Sequence, residues 1–156
     1  MNSNVRDAGN YFLAVPIASL RQAVTQSIAN STFTAITLDT SDVDTDNGHS
    51  VVTNTSRYTP QTAGYAQYSG GVAWSVNTTG GRGTYWAQNG SLLISEAMMA
   101  TVSALNVGTV ARTKQIFSNG STDYVEMQAY QTSGGALSTV ATSSAECAME
   151  VRWVHT

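Results

Sequence analysis

Hydrophobic and polar positions alternate most cleanly between Tyr65 and Val76. Ala66, Tyr68, Gly70, Val72, Trp74 and Val76 fall on one side; Tyr65, Gln67, Ser69, Gly71, Ala73 and Ser75 fall on the other. A period of two over this length predicts a half-buried strand. Pro60, just upstream, cannot donate a ladder hydrogen bond and belongs at a strand end or edge. Gly70-Gly71 in mid-strand predicts a bulge, a bend or a close backbone approach.

The same period recurs along the chain. Arg21–Ile28 alternates weakly, and in the β-rich run Phe33–Leu38 the side chains of Ile36 and Leu38 share a face. Gly80-Gly81 marks a turn, and Arg82–Gln88 reads as a strand with Tyr85 and Ala87 facing away from Trp86. Asn89-Gly90 and Asn119-Gly120 both carry the two-residue hairpin signal. Between them, 91–105 fits either strand, loop and strand or a helical stripe through Leu92, Leu93, Glu96, Met99 and Ala100. Val107–Phe117 places Val110, Arg112, Lys114 and Ile116 on one face. In 123–131, Val125, Met127 and Ala129 oppose Tyr124, Glu126, Gln128 and Tyr130. In the last strand, 146–154, Cys147, Met149, Val151 and Trp153 oppose Glu146, Glu150 and Arg152. Short strands with regular turn signals predict an all-β sandwich.

Composition agrees. Of 156 residues, 39 are Ser or Thr and only 11% are charged, well under the roughly 25% of ordinary globular chains. Thr favours strands and Ser favours turns. So sparse a charge fits a surface partly covered by partner subunits, or a neutral hydroxyl-rich surface in water. The net charge of −3 with one lysine argues against nucleic acid and against an anionic membrane surface. No apolar run approaches the ~20 residues of a membrane span. Five Asn-x-Ser/Thr sequons, at Asn30, Asn54, Asn77, Asn89 and Asn119, read as a by-product of this richness.

Residues 1–20 read as an N-terminal arm preceding a domain over 21–156. Tyr11, Phe12, Leu13, Val15 and Ile17 offer apolar groups without a clear period. Such an arm can dock on another subunit; the alternative is a first strand packed on its own domain. The acidic stretch LDTSDVDTDNGHS supplies the one metal candidate, with Asp42, Asp44 and Asp46 at every second residue. Hard cations such as calcium want several carboxylate oxygens. Asn47 and Thr53 stand where an EF-hand needs Gly and Glu, leaving a different calcium loop or a solvated acidic loop. No other cofactor is indicated. No nucleophile elbow, phosphate loop or zinc spacing occurs, and Cys147 falls on an apolar strand face. The chain reads as a non-enzyme. Tyr124 and Tyr130 share a non-core face, which fits a subunit interface, where aromatics are enriched.

RYTPQTAGYAQYSGGVAW resembles the Phe-Thr-x-Pro-x-x-Gly-x-Tyr strand signature of C1q/TNF-like domains, with Tyr58 in the phenylalanine position and Pro60 one place early. GSTDYVEMQAYQ resembles that family's Gly-Asp-x-Val strand, and CAMEVRWV its closing core strand. The likeness spans roughly residues 21–154. The wording of SRYTP, DVDTDNGHS, VEMQAYQTSGG and VRWV is most similar to C1q-like domains of tailed-bacteriophage virion proteins. The resemblance implies a jelly-roll β-sandwich of about ten strands that assembles as a homotrimer. Tyr124 and Tyr130 would then lie at the trimer interface. It also implies a structural or binding role rather than catalysis. A domain with a short apolar arm and without collagen-like repeat or heptads then reads as displayed on the virion surface, on the capsid exterior rather than the tail. There the arm would grip the major capsid protein or another virion protein, as a decoration or minor capsid protein does. The alternative is the receptor-binding domain of a tail fibre or tail tip, contacting host glycan or protein.

Overall fold

The structure, a computed structural model, describes residues 15–93, 98–100 and 105–156. Among these residues the regular structure is all strand: β1 Ile17–Arg21, β2 Ser27–Ile28, β3 Thr34–Ala35, β4 Thr40–Asp44, β5 Arg57–Tyr58, β6 Gly64–Trp74, β7 Arg82–Gln88, β8 Ser91–Leu92, β9 Met98–Ala100, β10 Val107–Ser118, β11 Val125–Gln131, β12 Leu137–Ser138 and β13 Ala148–His155. A five-stranded antiparallel sheet has the order β10-β6-β13-β1-β4. A second sheet runs β3-β11-β7-β8, with β5 also on β11 and β9 also on β7. From β4 onward the main strands cross repeatedly between the sheets, which is jelly-roll connectivity.

The core lies between the two sheets. Ala18, Leu20, Ala66, Tyr68, Trp74, Met149 and Val151 from the first meet Trp86, Val125, Met127 and Ala129 from the second, all essentially sealed from solvent. The alternation read from β6, β11 and β13 is the alternation observed. Ile36 and Leu38 are both fully buried. Gly70 and Gly71 mark a close approach: a Cβ on Gly70 would stand 2.6 Å from the Ala148 carbonyl oxygen, and one on Gly71 2.8 Å from that of Thr109. Strands β8 and β9 take the strand alternative for 91–92 and 98–100.

Four expectations need correction. The arm does not reach residue 20: Ile17–Arg21 is β1, paired with both β13 and β4, and it buries Ala18 and Leu20. Pro16 stands just before the strand, where no ladder donor is required. The acidic stretch is not wholly loop, since Thr40–Asp44 forms the sheet edge, where charged side chains face water. Val110 and Ile116 do not share a face. The β10–β6 register shifts between Ala111 and Lys114, so Thr109 and Ala111 point inward before the shift and Ile116 and Ser118 after it. The bulge leaves Arg112 outside the ladder, and its carbonyl accepts a hydrogen bond from Trp86 Nε1 at 2.9 Å. Finally, Asn119-Gly120 is not a hairpin, because β10 pairs with β6 and β11 with β7. Asn119 Oδ1 accepts from the backbone N–H groups of Ser121, Thr122 and Asp123, and so shapes a turn that carries the chain across to the other sheet.

Tyr68 is fully buried, and burial pushes its phenol far above the usual range. Its hydroxyl and that of Ser118 are the buried side-chain oxygens without a hydrogen-bond partner among the described residues; the two are neighbours but lack bonding geometry. Leaving such groups unmade costs about 1–3 kcal/mol each. The double variant Tyr68→Phe/Ser118→Ala is therefore expected to melt at or above the parent temperature. A fall of several degrees in a thermal melt would show that the two hydroxyls stabilise the core.

Candidate functional site

Each aspartate of the acidic stretch is engaged within the chain. Asp42 pairs with Arg21 at 3.0 Å. Asp44 accepts from the backbone N–H of Gly48 at 3.2 Å and of His49 at 2.9 Å. Asp46 accepts from the Gln61 N–H at 2.6 Å and the Thr62 hydroxyl at 3.1 Å. Asp39 takes the N–H groups of Ala23 and Val24. These carboxylates therefore tie β4 to β1 and the neighbouring loops to one another. No group of three His, Cys, Asp or Glu side chains able to hold a metal forms among the described residues, so the structure does not assemble the calcium site suggested by Asp42, Asp44 and Asp46.

Cys147 and His49 are both held in structural roles. Cys147 is fully buried, and burial pushes its thiol up to about 11. His49 holds both ring nitrogens against backbone carbonyls, Nδ1 on Arg57 at 2.8 Å and Nε2 on Leu38 at 2.7 Å, which makes it a clamp on the 45–56 loop. Cys147 is expected to resist alkylation at pH 8 in the native state and to react on unfolding. Its folded value lies above the ordinary 9.0, so its contribution to stability is complete below about pH 9 and fades as pH rises toward 11. Rapid native labelling at pH 8 would contradict this placement.

Tyr124 and Tyr130 do share a face, as the alternation predicts. It is the outward face of the second sheet, and both rings are half-buried against their own chain. The Arg57 guanidinium lies 4.0 Å from the Tyr124 ring centroid. Tyr130 packs on Phe33 at 4.7 Å, and Phe33 meets Tyr85 edge-on at 5.0 Å. Of the arm residues, Tyr11, Phe12 and Leu13 lie outside the described residues, Val15 is half-buried and Ile17 opens β1.

Exposed apolar side chains also gather on the outward face of the five-stranded sheet. Ile17, Val43, Tyr65, Val110, Phe117 and Val154 come from all five of its strands and are between 37% and 59% exposed. At one end Tyr65 packs against Phe117 at 5.4 Å and His155 at 4.9 Å. Toward the other end, small residues open a shallow cleft of about 430 Å³ along Ser69, Gly71, Ala73, Gly108, Val110 and Ala148. Glu150 and Arg152 stand between, with Glu150 taking the Ser19 hydroxyl at 2.8 Å. Sequence reading missed this face. The six residues lie on five different strands, and only the sheet order shows that they converge.

No protein-family model and no curated protein matches the sequence. Solved structures do match its fold. Murine APRIL at pH 5.0 superposes with a TM-score of 0.60 at 9% identity, covering 88% of this chain and 98% of that one. Eiger TNF from S. frugiperda gives 0.59 at 7% identity, covering 92% and 95%. Murine APRIL at pH 8.0 gives 0.59 at 11% identity, covering 88% and 98%. At such identities the likeness is one of fold, a TNF-like jelly roll.

Proposed function

We propose that this chain is a non-catalytic assembly and display module, a homotrimer closed through the outward face of the five-stranded sheet. The observation that carries the reading is the convergence of six exposed apolar side chains from five strands on that face. Exposed apolar side chains gathered on one sheet face and interrupted by a few charges mark an interaction site. Glu150 and Arg152 give the face both signs of charge, so one copy complements another. This moves the interface away from Tyr124 and Tyr130, whose rings are occupied within the chain.

The virion setting rests on the wording of the SRYTP, DVDTDNGHS, VEMQAYQTSGG and VRWV segments. In that setting the chain is a capsid decoration or minor capsid protein on the particle exterior. The docking arm is the segment before β1, including Tyr11, Phe12 and Leu13. Three arms per trimer turn weak single contacts into avid binding. Deleting residues 1–14 is expected to abolish particle binding while the trimer persists; retained binding in a particle pull-down would remove the arm from the account. Quantitative mass spectrometry of purified virions tests the setting: tens to hundreds of copies fit decoration, a handful fits a host-contact module at the tail, and none removes the virion reading. The host-contact alternative draws support from a polar cleft at the loop end of the second sheet.

A further inference from the structure

We propose that this loop-end cleft binds an acidic sugar, a saccharide ring bearing a carboxylate. The inference deepens the host-contact reading. It does not depend on assembly, because the whole cleft is built within one chain.

The cleft has a volume of about 350 Å³ and lies between the 45–56 loop and the turn at 119–123. Among the described residues Arg57 is its only charged lining residue. The guanidinium is held in place from two sides: Nε donates to Glu126 Oε1 at 3.4 Å, and its plane carbon sits 4.0 Å from the Tyr124 ring centroid. Glu126 is in turn fixed by the Ser56 hydroxyl at 2.7 Å. The Nη1 and Nη2 groups make no hydrogen bond among the described residues. A fixed guanidinium with two open donors is matched by a carboxylate, which it binds in a bidentate pair.

The rest of the lining offers neutral polar groups. The Asn54 side-chain amide and the Thr59 hydroxyl have no partner among the described residues, so both remain open to ring hydroxyls. The rim is held by its own bonds: Ser50 Oγ meets Thr53 Oγ1 at 3.2 Å, and Thr122 Oγ1 accepts from Asn119 at 2.7 Å. A neutral sugar would leave the Arg57 fork unmatched. A bare anion would leave Asn54 and Thr59 unmatched. An acidic sugar uses both sets. Arg57, Thr59 and Tyr124 belong to β5, β11 and the chain beside them, in the second sheet, so the cleft stays open when the face of the first sheet is covered. A trimer would present three such clefts.

Amide NMR titration of the full chain tests this, using N-acetylneuraminic acid, glucuronic acid, neutral glucose and inorganic phosphate as separate probes. Saturable shifts are expected at Asn54, Arg57, Thr59 and Tyr124 with at least one of the two acidic sugars. Glucose and phosphate are expected to bind at least about tenfold more weakly, the loss expected for one charge-assisted pair. Arg57→Gln should weaken the acidic sugar by a similar factor. Asn54→Gly, which keeps the left-handed backbone at φ 51° accessible, should weaken it severalfold with the spectrum otherwise intact. The proposal is overturned if neither acidic sugar gives saturable shifts at these residues, if glucose or phosphate binds as tightly, or if Asn54→Gly leaves the affinity unchanged. Because the readout is binding by the single chain, such a failure would leave the assembly reading standing.

Discussion

Gly80→Ala is expected to leave little folded protein at 25 °C. Gly80 has a φ of +70°, and an alanine Cβ there would stand 1.8 Å from the Thr132 carbonyl oxygen. The obstacle is backbone, so no rotamer change can relieve it. Thr132 follows β11 and is also tied to the neighbouring turn, its N–H on the Gly81 carbonyl at 3.1 Å and its hydroxyl on the Gly81 N–H at 2.8 Å. The buried Arg82 guanidinium closes the same turn by donating to the carbonyls of Asn77, Thr79 and Gly81. Left-handed backbone alone costs a non-glycine residue roughly 1–2 kcal/mol; with the overlap added, the loss should exceed about 4 kcal/mol. Gly134 is the control. Its φ is +89°, but an added Cβ there would meet nothing within 4 Å, so Gly134→Ala should cost only the roughly 1–2 kcal/mol of strain. Urea unfolding of the two variants checks the contrast, and equal losses would contradict it.

The second large effect concerns assembly. Tyr65→Asp is expected to turn the proposed trimer into a folded monomer. Tyr65 projects from β6, the strand next to the β10 edge, packs on Phe117 and His155, and still leaves 38% of its surface exposed. Aromatic anchors in a covered interface are typically worth about 2–4 kcal/mol each, and a carboxylate in their place adds a desolvation cost. A threefold assembly carries that loss at all three contacts. Tyr124→Ser, on the other sheet, should leave the assembly intact and cost only its contact with Arg57. If Tyr124→Ser dissociates the assembly and Tyr65→Asp does not, the interface belongs to the second sheet.

Much of the fold was legible because β6, β11 and β13 alternate without interruption, and a sheet with one buried face enforces that period. The phase of β10 was hidden by its bulge, which flips parity between Ala111 and Lys114 without any Gly or Pro to announce it. The Asn119-Gly120 turn was misread for a related reason. Turn chemistry specifies local backbone, whereas the strand that receives the chain is chosen by packing. The aspartates looked like a metal set because their partners are remote in sequence, as in the bond from Gln61 to Asp46. Alternation placed Tyr65 on the outward side of β6, but only the sheet order brings it beside Ile17, Val43, Val110, Phe117 and Val154. Arg57 and Tyr124 become neighbours only through the pairing of β5 with β11.

Closure of a homotrimer through the outward face of the five-stranded sheet is the proposal on which the assembly reading stands. Sedimentation velocity of the full chain at micromolar concentration tests it most directly. A single species with three times the chain mass, falling to the chain mass in Tyr65→Asp, is the predicted result. A wild-type chain that sediments as a monomer throughout, with its apolar face left in water, would contradict it.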